Sequence, residues 1–281
     1  MSEKIALICD SMSDLPENFA KEHGIKVLPA RLIYPHREYL DGIEIQPEEV
    51  YSRMPQEVPT TSMPSLLDIR TAFEELIQEG FTHCIALHIS SALSGTYESV
   101  KMVAQDIKQI KIQVIDTRTL SMGTGWMVIE AARDIKAGLD FESILEGLKA
   151  LQDKVQLYYI LETLEYLRRG GRIGKVAGMI AEFLHLKPVI SVNTDGEYFT
   201  YCKAKGRRKS IEKLVEIVQN AVREREINLA VLHGGAPQEF EMLLKRFKQF
   251  PNIRELMASQ ITPVLGVHTG PGLLGVCFYE V

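Results

Sequence analysis

The feature that most constrains this chain is a rhythm in its first half, where short apolar runs alternate with helical patterns. "IALIC" at residues 5–9 leads into the polar turn "DSMSDLP", with Pro16 near a helix start and Gly24 at its end. A second run, "IKVLPARLIY", precedes the short helix pattern "PEEVYSRM". Beyond it "LLDIRTAFEELIQEG" is a helix stopped by Gly80, "HCIALHIS" a third strand, and "SALSGTY" the start of a helix reaching Ile110. "KIQVID" is a fourth strand, followed by "TRTLSMGTG" and a helix ending near Gly138. Strands alternating with helices predict a mainly parallel, doubly wound sheet, because parallel neighbours need a crossover and a helix supplies it.

The second half breaks that rhythm. After a helix over residues 141–153 come the strand "VQLYYILE", a short helix, the charged loop "RRGGRIGK", and a helix carrying Val176, Met179, Ile180 and Phe183. "KPVISVNTDGEYFTYCKA" reads as a hairpin closed at Asp195-Gly196, a strong short-range turn signal. A helix over residues 209–226 puts Ile211, Leu214, Val215, Val218 and Val222 on one face. The chain closes with "NLAVLHGG", a helix from Pro237, the strand "MASQI", the loop "PVLGVHTGPG" and the strand "LLGVCFYEV". A hairpin set among βα units predicts a mixed-sheet α+β domain. The expected division is 1–152 and 153–281, with no Gly/Ser linker, a large shared interface and the cleft between the two halves.

Bulk properties narrow the function classes. The 281 residues are 46% apolar and 25% charged, the balance of a globular protein with a large core. A net charge of -5 argues against a nucleic-acid binder. Cys9, Cys84, Cys202 and Cys277 form no CxxC pair, so reduced core thiols are expected rather than a zinc site or a disulfide frame. The chain starts directly on a strand pattern, without a signal peptide or an apolar run long enough to span a bilayer, and a cytoplasmic location is expected.

Candidate chemistry lies in four loops and two cation clusters. In "TTSMPS", Pro64 extends the backbone before it, Ser65 is a natural N-cap with Asp68 completing a capping box, and Thr61 and Ser62 are presented at the helix start. Hydroxyls beside outward-pointing backbone N–H groups suit a carboxylate or phosphate. "SSALSGTY" places Ser94 and Gly95 at the carboxyl end of a strand, where ligands of open α/β sheets sit. Its flanks, Ala92 and Thr96, lack the G-x-S-x-G elbow of hydrolases. Gly123 and Gly125 match only part of a dinucleotide fingerprint, with Val128 at the third glycine position, so close helix packing explains them better. Near the C-terminus, "GVHTGPG" offers His268 as a loop hydrogen-bond donor. The cations gather at Arg168, Arg169, Arg172 and Lys175, and again at Lys203, Lys205, Arg207, Arg208 and Lys209. They form either a solvated face or a dock for an acidic partner or a phosphate.

Taken in order, "DSMSDLP", "TTSMPS", "SSALSGTY", "DTRTLSMGTG", "LETLEYLRRGGRIG", "KPVISV", "KAKGRRKS" and "GVHTGPG" make the whole chain resemble the DegV family of bacterial fatty-acid-binding proteins. The resemblance implies two α/β domains enclosing one long-chain fatty acid, such as palmitate or oleate, in a tunnel between them. It implies a non-catalytic, acyl-carrying subunit of a fatty acid kinase, without cofactor or metal. The partner kinase phosphorylates the bound carboxyl, and the acyl phosphate passes to an acyltransferase for phospholipid synthesis. Transient membrane contact is compatible with this role. Carried over by motif, the carboxyl contacts are Thr61, Ser62, Ser94, Gly95 and His268. Arg172, with Lys203, Lys205 and Arg207, is implied in kinase docking. The competing expectation is a serine hydrolase or thioesterase with Ser94 as nucleophile and His268 as base. An elbow at Ser94 and a carboxylate orienting His268 would favour that alternative, whereas an apolar tunnel ending at hydroxyls would favour the carrier.

Overall fold

The computed structural model describes residues 3–180 and 186–281. In chain order the first half contains β1 (Ile5–Asp10), α1 (Glu17–Glu22), β2 (Lys26–Leu28), β3 (Arg31–Tyr34), β4 (Arg37–Leu40), α2 (Pro47–Arg53) and β5 (Thr60–Ser62). It continues through α3 (Leu66–Gln78), β6 (His83–His88), α4 (Thr96–Gln105), β7 (Lys111–Asp116), α5 (Met122–Ala137) and α6 (Phe141–Gln152). The second half holds β8 (Gln156–Ile160), α7 (Glu165–Arg169), β9 (Lys187–Val192), β10 (Tyr198–Ala204), α8 (Gly206–Glu224), β11 (Ile227–Gly234), α9 (Pro237–Phe247), β12 (Ile253–Gln260), α10 (Pro263–Thr269) and β13 (Leu273–Glu280).

The expected two-domain α/β architecture is what forms. One sheet is wholly parallel in the order β2-β1-β6-β7, and the other is mixed in the order β10-β9-β8-β13-β11-β12. Side-chain alternation decides which helices cover which face. Ala6, Ile8, Cys84 and Ala86 pack under α3 and α4, while Leu7, Cys9, Ile85 and Leu87 face α5. In the mixed sheet Leu229, Val231, Leu274 and Val276 meet α8 and α9, whereas Ala230, Leu232, Cys277 and Tyr279 join the α5 side. Helix α5 is therefore sandwiched between the two sheets, in the middle of five layers. Its first half fits that place, since Met122 through Ile129 are all buried, while its C-terminal end reaches solvent at Lys136 and Ala137. Trp126 is fully buried, and its indole N–H donates to the Cys277 carbonyl at 3.3 Å.

Several local expectations are corrected. "IKVLPARLIY" is not one strand: Pro29 and Ala30 separate β2, in the parallel sheet, from β3 in a small antiparallel sheet of order β4-β3-β5. Residues 60–62 of "TTSMPS" are strand rather than loop, pairing Arg31 with Ser62 and Leu32 with Thr61. Three residues carry too little periodicity to announce a strand. The helix after "SALSG" stops at Gln105, short of Ile110. Residues Gly174–Met179 form a 3-10 turn rather than an α-helix, and Phe183 lies outside the described residues. His268 sits on the short helix α10, not in a loop, with Pro263 at its first turn. The hairpin does close at Asp195-Gly196, and Gly196 takes φ +80 there.

Candidate functional site

A cavity of about 240 Å³ opens where the two halves meet. Thr61, Ser62, Ser94 and Gly95 line it from the first half, and Arg172 and His268 from the second. Six residues separated by up to 207 positions in sequence thus line one cavity. The two sides touch directly: His268 Nε2 lies 2.8 Å from the Thr61 hydroxyl.

Helix α10 sets the height and angle of His268, and it is held by carboxylates from the opposite half. Asp41 accepts from Val264 N–H at 2.9 Å and from the Ser11 hydroxyl at 2.6 Å. Asp14 accepts from Thr262 N–H at 2.8 Å and from the Ser121 hydroxyl. These are the α10 N-terminal donors that would otherwise lack partners. Burial pushes Asp14 up to about 8 and Asp41 up to about 6, against the opposing pull of those hydrogen bonds. The imidazole is fixed from the other side by Gly170, where an added Cβ would stand 2.1 Å from His268 Nδ1.

The surroundings of the ring assign its proton. Burial, and next the charge of Arg172, push His268 down to about 4, so the ring is neutral at pH 7. Its buried Nδ1 has no hydrogen-bond partner. An orphaned acceptor is tolerated better than an orphaned N–H, so the proton belongs on Nε2. Nε2–H then donates to Thr61 Oγ1 and frees the Thr61 O–H to donate in turn. The cavity wall gains a hydroxyl donor of fixed direction, suited to a carboxylate oxygen.

Facing this pair is the start of α4. Gly95 occupies its N-cap, and the Ser94 hydroxyl bonds Thr96 Oγ1 at 2.8 Å and accepts from Thr96 N–H at 3.3 Å. Met63 closes over this end, its sulfur accepting from the Ser99 hydroxyl at 3.0 Å, and an added Cβ on Gly95 would meet that sulfur at 3.3 Å. Ser65 keeps the capping box with Asp68 and lies outside the cavity lining. The features that would favour a hydrolase are not assembled. His268 bonds Thr61 rather than Ser94, its Nδ1 meets no carboxylate, and six residues of loop separate β6 from Gly95.

The two cation clusters part company. Arg172 reaches across the mouth, donating from Nε to the Leu93 carbonyl at 3.2 Å and from Nη1 to the Gly170 carbonyl at 2.7 Å. Arg168 and Arg169 both pair with Glu165, and Lys175 with Glu197. Lys203, at the far end of β10 from Tyr198, Lys205 and Arg207 do not line the cavity. Arg207 is half-buried and paired with Glu239 at 2.6 Å.

Sequence reasoning missed the supports of the site. Asp14 lies in "DSMSDLP", where two acids flanking hydroxyls were the available hint, but nothing near Asp41 marked it. Tyr51, on α2, fits against Gly234 and Gly266, where an added Cβ would come within 2.6 and 2.7 Å of its hydroxyl. Glycine at those positions lets α2 pack against the end of β11 and against α10. Gly123 and Gly125 serve close packing as well: added Cβ atoms would strike Thr119 at 2.3 Å and the Ser13 carbonyl at 2.7 Å.

Residues 4–281 match the family described as uncharacterised proteins of the DegV family. The chain belongs to the DegV family. A DegV domain-containing protein of Clostridium acetobutylicum is 45% identical over 278 residues, 99% of each chain. Among solved structures, a fatty-acid-binding DegV family protein from Thermus thermophilus is 30% identical with a TM-score of 0.93, covering 99% of this chain and 100% of that one. A stearic acid-binding protein from Eubacterium ventriosum is 26% identical with a TM-score of 0.88, covering 100% of this chain and 98% of the other. In this DegV chain the cavity between the halves draws its lining from "DSMSDLP", "TTSMPS", "SSALSGTY", "LETLEYLRRGGRIG" and "GVHTGPG", while "KAKGRRKS" lies away from it.

Proposed function

We propose that this chain binds one long-chain fatty acid in the interdomain cavity and presents its carboxyl to a partner kinase for phosphorylation. One observation carries the reading: Thr61, Ser62, Ser94, Gly95 and His268 converge on one end of a cavity whose deeper walls are apolar. Hydroxyls, a backbone N–H and a neutral imidazole can bond a carboxyl in either protonation state, with the Arg172 charge beside them at the mouth. Affinity resides in the tail, where each buried CH₂ is worth about 0.8 kcal/mol. Roughly a dozen would supply on the order of 10 kcal/mol before ordering costs. The fatty-acid-binding relatives support the ligand class. The acyl phosphate would then pass to an acyltransferase for phospholipid synthesis. We read the chain as a cytoplasmic carrier that touches the membrane only transiently; among the described residues no helix is long and apolar enough to cross one.

Arg172 at the mouth is the residue we assign to kinase engagement, with Lys203, Lys205 and Arg207 as a more distant contribution. The test of ligand class is native mass spectrometry of the purified protein with and without added palmitate or oleate. A mass increment of one fatty acid, released by organic extraction, is the expected result; no uptake of either lipid would refute the reading. Arg172→Ala is expected to slow acyl-phosphate formation by the kinase about tenfold while leaving lipid uptake within about twofold, the loss of one charge-assisted contact. The reverse pattern would make Arg172 a ligand contact instead.

A further inference from the structure

One short helix walls both the polar and the apolar part of the cavity. An inner chamber of about 20 Å³ continues inward from the head-group end, and Tyr198, Leu265 and Thr269 line both spaces as a partition. Leu157, Leu232 and Ile261 close the chamber beyond it. Leu265 and Thr269 lie one turn apart on α10, the helix that also carries His268. Seen down that helix, His268 stands about 60° to one side of Leu265, toward the outer cavity, and Gly266 about 100° to the other. Gly266 is the position packed against Tyr51, where an added Cβ would come within 2.7 Å of the phenolic oxygen.

The outer cavity of about 240 Å³ is below the ~300–1,000 Å³ usual for small-molecule sites, so a long acyl tail has to part the partition. Which member yields follows from their contacts. Tyr198 is buried and braced edge-on by Tyr159, with ring centroids 5.5 Å apart and planes at 71°. The Thr269 hydroxyl donates to the Leu265 carbonyl at 2.9 Å, so these two residues travel together with their turn of helix. Leu265 is 6% exposed, and carbon added to so closely packed a place is accommodated by shifts of side chain and backbone. Helix α10 is anchored at its start, where Thr262 and Val264 N–H groups meet Asp14 and Asp41. A push on Leu265 therefore swings the rest of the helix about that end. The His268–Thr61 bond at 2.8 Å is directional, and the close approach of Gly170 leaves the ring no slack on its other side. A displacement of about 1–2 Å, ordinary for a helix moving against a neighbour, is enough to redirect it.

Resting on the acyl-chain reading, we propose that Leu265 is a specificity-determining residue through which the tail sets the head-group site. A tail long enough to enter the inner chamber pushes Leu265, moves the last turn of α10 and swings the His268 Nε2–H from Thr61 onto the carboxyl. A tail that ends in the outer cavity leaves that N–H on Thr61. Long and short acyl chains thus have identical carboxyls held by different sets of donors.

The test is a homologous series of octanoate, decanoate, laurate, myristate, palmitate and stearate, titrated into wild type and Leu265→Ala. Calorimetry reads affinity, NMR reads the His268 ring signals, and melting curves confirm folding. Every member brings the same carboxyl, so a difference at His268 between members comes through the tail. While the tail stays in the outer cavity, affinity is expected to rise about fourfold per added methylene. Where it first meets Leu265, one step of the series should gain less than about twofold. From that length on, the His268 ring signals should stand at a second position. In Leu265→Ala the rise should be unbroken and the ring signals the same for every chain. A steady rise in wild type, ring signals indifferent to length, or a break that persists in Leu265→Ala would each overturn the assignment. If Leu265→Ala does not fold, Leu265→Val is the substitute: it should move the break to a longer chain, and an unmoved break counts against Leu265. Failure of every member to bind would overturn the acyl-chain reading, and this proposal with it; binding without the break removes only the latter.

Discussion

His268 is fixed by two contacts that neither end of the chain foreshadows: the Thr61 hydroxyl at 2.8 Å and the bare α-carbon of Gly170. Gly170 has φ -76 and ψ -4, a conformation alanine adopts freely, so its importance is steric and not conformational. Gly170→Ala is expected to push the imidazole off Thr61 at a cost of about 1–3 kcal/mol, the usual penalty for overpacking. The measurement is fatty-acid affinity beside thermal stability; wild-type affinity with an unmoved ring would contradict it. The imidazole should titrate near 4 by NMR. Because that value lies below the 6.5 of an unhindered histidine, the unfolded chain takes up a proton first as the pH falls. Stability from this group is complete above 6.5 and declines toward 4, and His268→Gln should remove that acid-side decline.

Helix α10 is the element on which the site turns. It has seven residues, too few to persist alone, and its N–H groups are satisfied by Asp14 and Asp41 from the other half of the molecule. Asp41→Ala should cost about 0.5–2 kcal/mol as a lost cap, and should weaken ligand binding through displacement of His268. Normal binding by a destabilised Asp41→Ala protein would show that α10 does not depend on this cap for its position. The pH dependence runs opposite to that of the histidine. Both carboxyls have raised values in the folded state, about 8 and about 6 against 3.8, so their contribution is complete below 3.8 and is lost as the pH rises through those values. Asp14→Asn, which tolerates the positive φ of 49 at this position, should flatten stability between about pH 4 and 8 in denaturant titrations. An unchanged slope would assign the effect elsewhere.

At the scale of the molecule, α5 makes the two sheets one structure. Its first half is buried all round, and Trp126 ties it to the mixed sheet, its ring on Tyr279 at 5.5 Å and its N–H on the Cys277 carbonyl. The hairpin tip adds a second tie, the Ser90 hydroxyl donating to the Gly196 carbonyl at 2.9 Å. Trp126→Ala should therefore destabilise the whole chain by about 3–5 kcal/mol, with probes in both sheets melting together. Two separate transitions would mean that the halves fold independently of the shared core.

The sequence alone determined the elements whose signal is local. Apolar runs of five or six residues, helices with a continuous buried stripe, the Asp195-Gly196 turn and the Ser65 capping box are set by neighbours within a few positions, so spacing reveals them. Alternating strands and helices also fixed the parallel sheet, because chain connectivity leaves few other solutions. What only the tertiary structure decided depends on partners distant in sequence. Strand β5 exists because β3 lies beside it, and α10 because Asp14 and Asp41 reach it. The neutral state of His268 follows from burial contributed by both halves. The motif residues Thr61, Ser62, Ser94, Gly95 and His268 were legible one by one, but their convergence was not, since no local pattern encodes a contact spanning two hundred residues.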